Sequence, residues 1–522
     1  MAAEPRWWTI RRAQNRKPAT YRCPFCGELL PALSEHVLVM PEGDPARRRH
    51  AHTACALRAR RAGRLPAHDE WQAAQPRREL GEPPRRGRRR RRPHVPSLAI
   101  DLRPVRESRD LRLLVLGNVV SGLGTQAALV ALPYQIYVET RSPLLTGMLG
   151  AVELGPLVAM ALLGGAIADR IDRRRLLLAD QLALVSAAGG LAAAAFGGWS
   201  PVWLLYVLGG LLAGFGAVQN VTRSAIVPNL VAPERLRGAL ALTFGLYQLT
   251  MVVGPALGGL LIAALGVGAA YAVDAGSCLA MVAAAYALPP QLPLGRDERP
   301  LSIGRSIADG LRFVRGNQAL LGSFAIDLMA MTFGMPRALF AVLSLTVYHA
   351  GAAGTGALYA AVSAGATIAA LTTGWLQHAR RLGLIVIWAV AVWGIAIAAA
   401  GVTSSLWMAA ALLAIAGAAD SVSAVCRTTI NQTVTPDELR GRMSSVFSLV
   451  VTSGPRLGDI EAGTVASLAT PRASVISGGV ACAAGVLLVM AAFPALLRYD
   501  VEAADAARGG SKVPGQPRPT AT

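Results

Sequence analysis

The stretch LLGGAIADRIDRRRLLLADQLALV, Leu162–Val185, sets two apolar runs on either side of a short break, DRIDRRR, that holds two aspartates and four arginines. A run that stops at charge and restarts at once is the pattern of two membrane spans joined by a short loop, each span needing about 20 residues. The runs are continuous and not alternating. That argues for helices over barrel strands, because a helix satisfies its own backbone hydrogen bonds in lipid.

Outward from this point the pattern repeats. Twelve spans are expected, at 111–138, 143–166, 176–196, 201–221, 238–263, 267–288, 318–347, 354–376, 383–401, 405–426, 441–465 and 473–496. Composition agrees: of 522 residues 53% are hydrophobic and 16% charged, with mean hydropathy +0.43, too apolar for an ordinary soluble domain. The formal net charge is +20, yet the first hundred residues alone hold 22 Arg and Lys against 9 Asp and Glu. Most of the excess therefore belongs to a tail.

Loop charge predicts the orientation. With the N-terminus inside, the inner connections are DRIDRRR, the segment with Arg223, Arg235 and Arg237, the link 289–317, His378–Arg381 and Arg427–Arg442, all arginine-rich. The outer ones hold little beyond Arg141 and Arg472. This asymmetry places both termini in the cytoplasm of a cell-membrane protein. No apolar core of a cleavable signal is visible near the start, so the first span is expected to direct insertion.

The link 289–317 divides the spans six and six, into an N-terminal half, 106–288, and a C-terminal half, 318–498, with a tail at 499–522. Its run SIGRSIADGLRFVRG reads as a surface amphipathic helix. Two motifs recur about 200 residues apart: PERLRG at Pro233–Gly238 returns as PDELRG at Pro436–Gly441, and GPALG at Gly254–Gly258 returns as GPRLG at Gly454–Gly458. Ordered recurrence at that interval is expected of two parallel six-helix repeats.

Gly165–Leu176, GAIADRIDRRRL, resembles the loop 2-3 signature of the major facilitator superfamily, G-x-L-A-D-R-x-G-R-R-x-x-L, with Asp172 where that pattern has glycine. Gly254, Pro255, Gly258 and Gly259 are similar to its antiporter motif. Further, the segments opening spans one and seven and the GPRLGDIEAG run resemble the enterobactin-exporter and drug-efflux branch, over about residues 100–500. The resemblance implies an all-α fold of twelve helices, export over uptake, and a conformational latch of Gly165, Asp169, Arg170 and Arg173 with Arg223 as partner. On residue chemistry alone, the arginines could equally be topological anchors and the glycines ordinary close packing.

Charge inside a span is expensive unless paired or wet, so such residues point to function. Glu153, Asp274, Asp327 and Asp459 are the candidate proton carriers, in that order. Glu153 and Asp274 lead because no basic residue stands near them in sequence. Arg337 and Arg456 are candidate charges between the halves, Arg456 and Asp459 sharing a helix face at i, i+3. A structural ion pair is the plain reading for each, and Glu461 points away from Asp459. Asn118, Gln126, Tyr247, Gln248, Met331 and Phe333 are candidate cavity residues, with ordinary packing the plainer reading of each. A mostly apolar cavity suits an amphipathic organic molecule, and the resemblance implies a siderophore, antibiotic or hydrophobic drug. No covalent catalysis is indicated, and a monomer is expected.

The tail carries a separate signal over 1–75. Cys23 and Cys26 form a C-x2-C pair, and His52 and Cys55 an H-x2-C pair, four ligands suited to structural zinc, with His36 and His50 as spares. Cys278, Cys426 and Cys482 stand singly in apolar runs as small hydrophobes. The linker 76–105 holds Arg85–Arg92, RRGRRRRR, close enough to the first span to meet anionic lipid in preference to nucleic acid. Two other readings are an uptake permease of the same fold and a membrane-tethered zinc-knuckle regulator.

Overall fold

The computed structural model describes residues 7–13, 20–31, 36–41, 47–67, 70, 103–168, 170–232, 235–292, 303–436 and 439–500. The linker arginines Arg85–Arg92, Asp169 and the tail beyond residue 500 lie outside them. The chain forms two compact units, Met1–Ser97 and Leu98–Thr522.

In the first unit, β1 (Trp8–Ala13), β2 (Thr20–Arg22), β3 (Leu29–Pro31), β4 (His36–Pro41) and β5 (Arg49–Ala51) precede the helix α1 (Thr53–Arg61). β4 is the centre of an antiparallel sheet with β1 and β5, and β2 and β3 form a separate hairpin. The packed cluster of buried apolar residues is Cys23, Val37, Val39, Ala51, Ala56, Ala59 and Leu65. With three alanines among seven, this core is small for independent folding.

In the second unit, a short α2 (Arg103–Glu107) leads into α3 (Arg109–Thr140), α4 (Pro143–Ala168), α5 (Arg173–Phe196), α6 (Val202–Ile226), α7 (Leu236–Leu265) and α8 (Val267–Ala287). Then follow α9 (Ile303–Arg315), α10 (Gln318–Phe333), α11 (Leu339–Thr346), α12 (Gly351–Thr372), α13 (Leu382–Val402), α14 (Leu406–Val434), α15 (Arg440–Leu468), α16 (Pro471–Ala492) and α17 (Pro494–Leu497). Among the described residues ten of these are long and apolar enough to cross a membrane. α10 has 16 residues, and α15 carries Arg456, Asp459 and Glu461, so neither meets that test.

The span expected at 318–347 is not one helix. Pro336 lacks the N–H that would continue the ladder, and the chain opens between α10 and α11. Groups freed by the break find partners on three other helices: Ala338 N–H donates to Asp459 Oδ1 (2.9 Å), Trp393 Nε1–H to Gly334 O (2.8 Å) and Tyr359 O–H to Arg337 O (3.0 Å). Irregular backbone is tolerated at membrane depth only when satisfied by protein in this way. The turn at Asp172, where the motif departs from glycine, is also built by a side chain. Asp172 Oδ1 accepts from Arg174 N (3.0 Å) and Gln291 N (2.8 Å), capping α5.

The internal repeat is visible in the packing. A Cβ added to Gly258 on α7 would lie 2.6 Å from Ala127 Cα on α3, and one on Gly458 of α15 would lie 2.6 Å from Met331 O on α10. On the next face of α7, Gly259 meets Gly356 of α12; on α15, Asp459 and Gly463 meet Gly147 and Gly150 of α4. The contacts of Gly259 with Gly356 and of Gly147 with Gly463 join the two halves toward the end with the arginine-poor connections. Small residues let the backbones come that near.

Candidate functional site

α15 brings its charge against α4. Arg456 Nη1 lies 2.5 Å from Glu153 Oε2 and 3.9 Å from Asp459 Oδ2. Glu153, chosen from the sequence partly for want of a basic neighbour, therefore has one, supplied by a helix on the other side of the 289–317 link. Gly150, one turn before Glu153, is what admits this approach: a Cβ there would stand 2.9 Å from Asp459 Cβ. Asp459 joins three elements, since it also holds the Ala338 N–H of the broken segment.

The other candidates separate by environment. Asp327 is 1% exposed and pairs with Arg427 at 2.5 Å, and Arg427 also reaches Asp420 at 3.6 Å. Arg427, expected in an inner connection, is thus buried. α14 continues two turns past the expected end at 426 and carries it inward. Among the described residues no cation lies within ion-pair distance of Asp274; its Oδ1 accepts from Thr125 Oγ1 at 3.2 Å. Asp180 on α5 went unnoticed in the sequence. It is 3% exposed, and among the described residues neither oxygen has a hydrogen-bond partner of good geometry.

Of the latch residues, Arg173 Nη1 donates to Ala225 O (2.8 Å) near the end of α6, and Arg170 is exposed. A Cβ on Gly165 would meet open space. Arg174, beside Arg173 at the start of α5, donates to Tyr286 O (2.6 Å) and lies over the Tyr286 ring. Arg223 donates to Ser121 Oγ at 3.3 Å. Arg337 is exposed and, among the described residues, has no carboxylate within ion-pair distance, contrary to the structural pairing considered for it. A cavity of about 350 Å³ between α3, α6 and α7 is lined by Asn118, Arg223, Phe244 and Tyr247. Sequence reading had named Asn118 and Tyr247 for a cavity. Gln126, by contrast, packs against Gly254.

Residues 101–513 match the family described as transmembrane secretion effector. The chain belongs to that family of major facilitator transporters. The chain is 31% identical over 385 residues to the enterobactin exporter EntS of Shigella boydii serotype 4, covering 73% of this chain and 91% of that one. Solved structures share the fold: the nucleoside transporter NupG at TM-score 0.62 and 11% identity (74% and 100% covered), and a bacterial homologue of the human lysosomal transporter Spinster, inward-facing and unoccupied, at TM-score 0.58 and 14% identity (79% and 99% covered). It is a multi-pass membrane transport protein of the efflux type. Residues 2–56 separately match the family described as Rv1322 family protein.

Within that leading segment, Cys23 and Cys26 sit beside the β2–β3 hairpin and His52 and Cys55 at the start of α1. Their four ligand atoms all lie within 4.8 Å of one another. Cys26 Sγ is 3.4 Å from His52 Nδ1. Zinc at ~2.3 Å from sulfur and ~2.0–2.1 Å from nitrogen would set such an edge near ~3.5 Å, so the donor set fits. Burial works against the Cys23 thiolate, but backbone hydrogen bonds from Phe25, His52 and Cys26 outweigh it and lower its pKa to about 6. Burial, then Cys26, push Cys55 up to about 11. The spare histidines do not join the cluster: His36 Nε2 and His50 Nδ1 meet each other at 2.8 Å, and Tyr21 stacks on His50.

Proposed function

We propose that the protein exports an amphipathic small molecule, of siderophore or antibiotic type, in exchange for protons, by alternating access of two six-helix halves in the cytoplasmic membrane with both termini inside. On this reading α10 and α11 together make one crossing, roughly 24 Å plus 12 Å of helix at 1.5 Å per residue, and α15 makes another, so the crossings number twelve. The glycine contacts then seal the outer end, leaving the inner side as the open one. Gly165, Asp169, Arg170 and Arg173 are the proposed latch of the opposite state, and Gly254, Pro255, Gly258 and Gly259 the packing face of the seal.

One observation carries the coupling: the Glu153–Arg456 pair bridges the two halves beside that seal. Opening the outer end parts α4 from α15 and separates the pair. An ion stranded in an apolar wall is costly, and a proton on Glu153 removes the cost on one side. Asp459, held by the Ala338 N–H as well, keeps Arg456 partnered. Glu153→Gln in proteoliposomes is expected to cut pH-gradient-driven efflux by about tenfold while leaving gradient-free exchange of cargo intact. Efflux that still follows the gradient in the mutant would overturn this role.

The leading segment holds a structural zinc through Cys23, Cys26, His52 and Cys55. Bound there, the ion supplies folding energy through its coordination bonds, which the small core lacks. Metal analysis of the purified protein is expected to find about one zinc per chain, lost in Cys26→Ser; zinc content equal in the two would refute the site.

A further inference from the structure

Arg223 and Arg427 hold corresponding places: VTR at 221–223 lies near the end of α6 and VCR at 425–427 two turns short of the end of α14, and each arginine faces the opening helix of its own half, at Ser121 and Asp327. Their surroundings differ. Arg427 is neutralised by Asp327 and Asp420. Arg223 donates to a hydroxyl, its Nε is buried without a partner, and among the described residues no carboxylate lies within 4.0 Å of it. Asp180 acts on it from beyond ion-pair distance. A cation kept half-buried without its counter-ion is expensive, so the repeat that dropped the carboxylates leaves room for one from outside.

The room is present. Arg223 opens on the cavity of about 350 Å³, within the roughly 300–1,000 Å³ of small-molecule sites. Val119, Leu240 and Phe244 supply apolar wall, Tyr247 and Thr250 a polar edge. Asn118 Oδ1 is buried and, among the described residues, has no partner. Arg337, from the other half, adds positive potential at Tyr247. We propose that this cavity is the subsite for an anionic end of the cargo, a carboxylate or similar planar oxyanion taken by the Arg223 guanidinium, with the apolar body against Phe244 and Leu240. This rests on the export reading and narrows its cargo to amphipathic anions.

The test uses the full chain in nanodiscs and two fluorescent probes of equal size, a dansyl-amino fatty acid and its primary amide. The wild type is expected to bind the acid about tenfold more tightly than the amide. Arg223→Gln should erase that difference without changing amide binding, and Arg223→Lys should keep part of it, retaining charge without the planar fork. Equal affinity for both probes in the wild type, or equal weakening of both in Arg223→Gln, would overturn the subsite. Efflux of the two probes from proteoliposomes separates this from the export reading: preference for the acid without efflux of either keeps the subsite and removes export, whereas efflux of both without preference does the reverse.

Discussion

Replacing Arg427 with alanine is expected to destabilise the membrane unit by roughly 3–5 kcal/mol, the usual cost of breaking a buried ion pair from one side. Asp327 and Asp420 would be left facing each other, with Asp327 1% exposed and without the cation that offsets their desolvation. Thermal denaturation of the purified protein, followed by loss of the monodisperse peak, is the measurement. Adding Asp327→Asn to Arg427→Ala removes one stranded charge and should recover part of the loss. A single mutant that melts with the wild type would show that the pair does not hold α10 to α14.

How much of this was legible beforehand depends on the distance over which each cause acts. The spans and the recurrence of GPxLG are local or periodic, and the structure has counterparts for ten of the spans in its long apolar helices and for the recurrence in the equivalent packing of Gly258 and Gly458. The break at 334–338 was written in Pro336, but an apolar run on both sides concealed it. Arg427 was misplaced because α14 outruns its apolar stretch, Thr429 and Thr433 turning their hydroxyls back onto the helix at Val425 O and Thr429 O. Partners across helices were not legible at all. Glu153 looked unpaired because Arg456 stands in the other half, and no spacing rule links them. A further repeat was readable and went unread: TGMLG at Thr146–Gly150 and TGALY at Thr355–Tyr359 place Gly147 and Gly356 at the two equivalent close contacts.

Those two glycines carry the other large expectation. Gly147→Leu should abolish transport while the protein still folds and inserts. A Cβ at Gly147 would stand 2.9 Å from Gly463 Cα and closer still to Asp459 O, so α4 and α15 cannot seal as they do here, and a leucine adds far more bulk than the Cβ alone. The obstruction is backbone, which cannot swing aside as a side chain would. In the opposite state the helices part at this end, and the leucine then has space, so the mutation acts on one conformation and not on the fold. Cysteine labelling from outside separates this from simple damage. With a probe cysteine placed at the half-buried Ala151, one turn from Gly147 on the same face of α4, in both backgrounds, the leucine protein should label at least as fast as the parent and stay monodisperse, whereas a misfolded one would aggregate. Slow labelling together with full transport would mean that the contact at Gly147 is incidental. Gly356→Leu, meeting Gly259 Cα at 2.9 Å across the pseudo-equivalent α7–α12 contact, should behave alike, because a seal made from two related halves fails if either one is wedged.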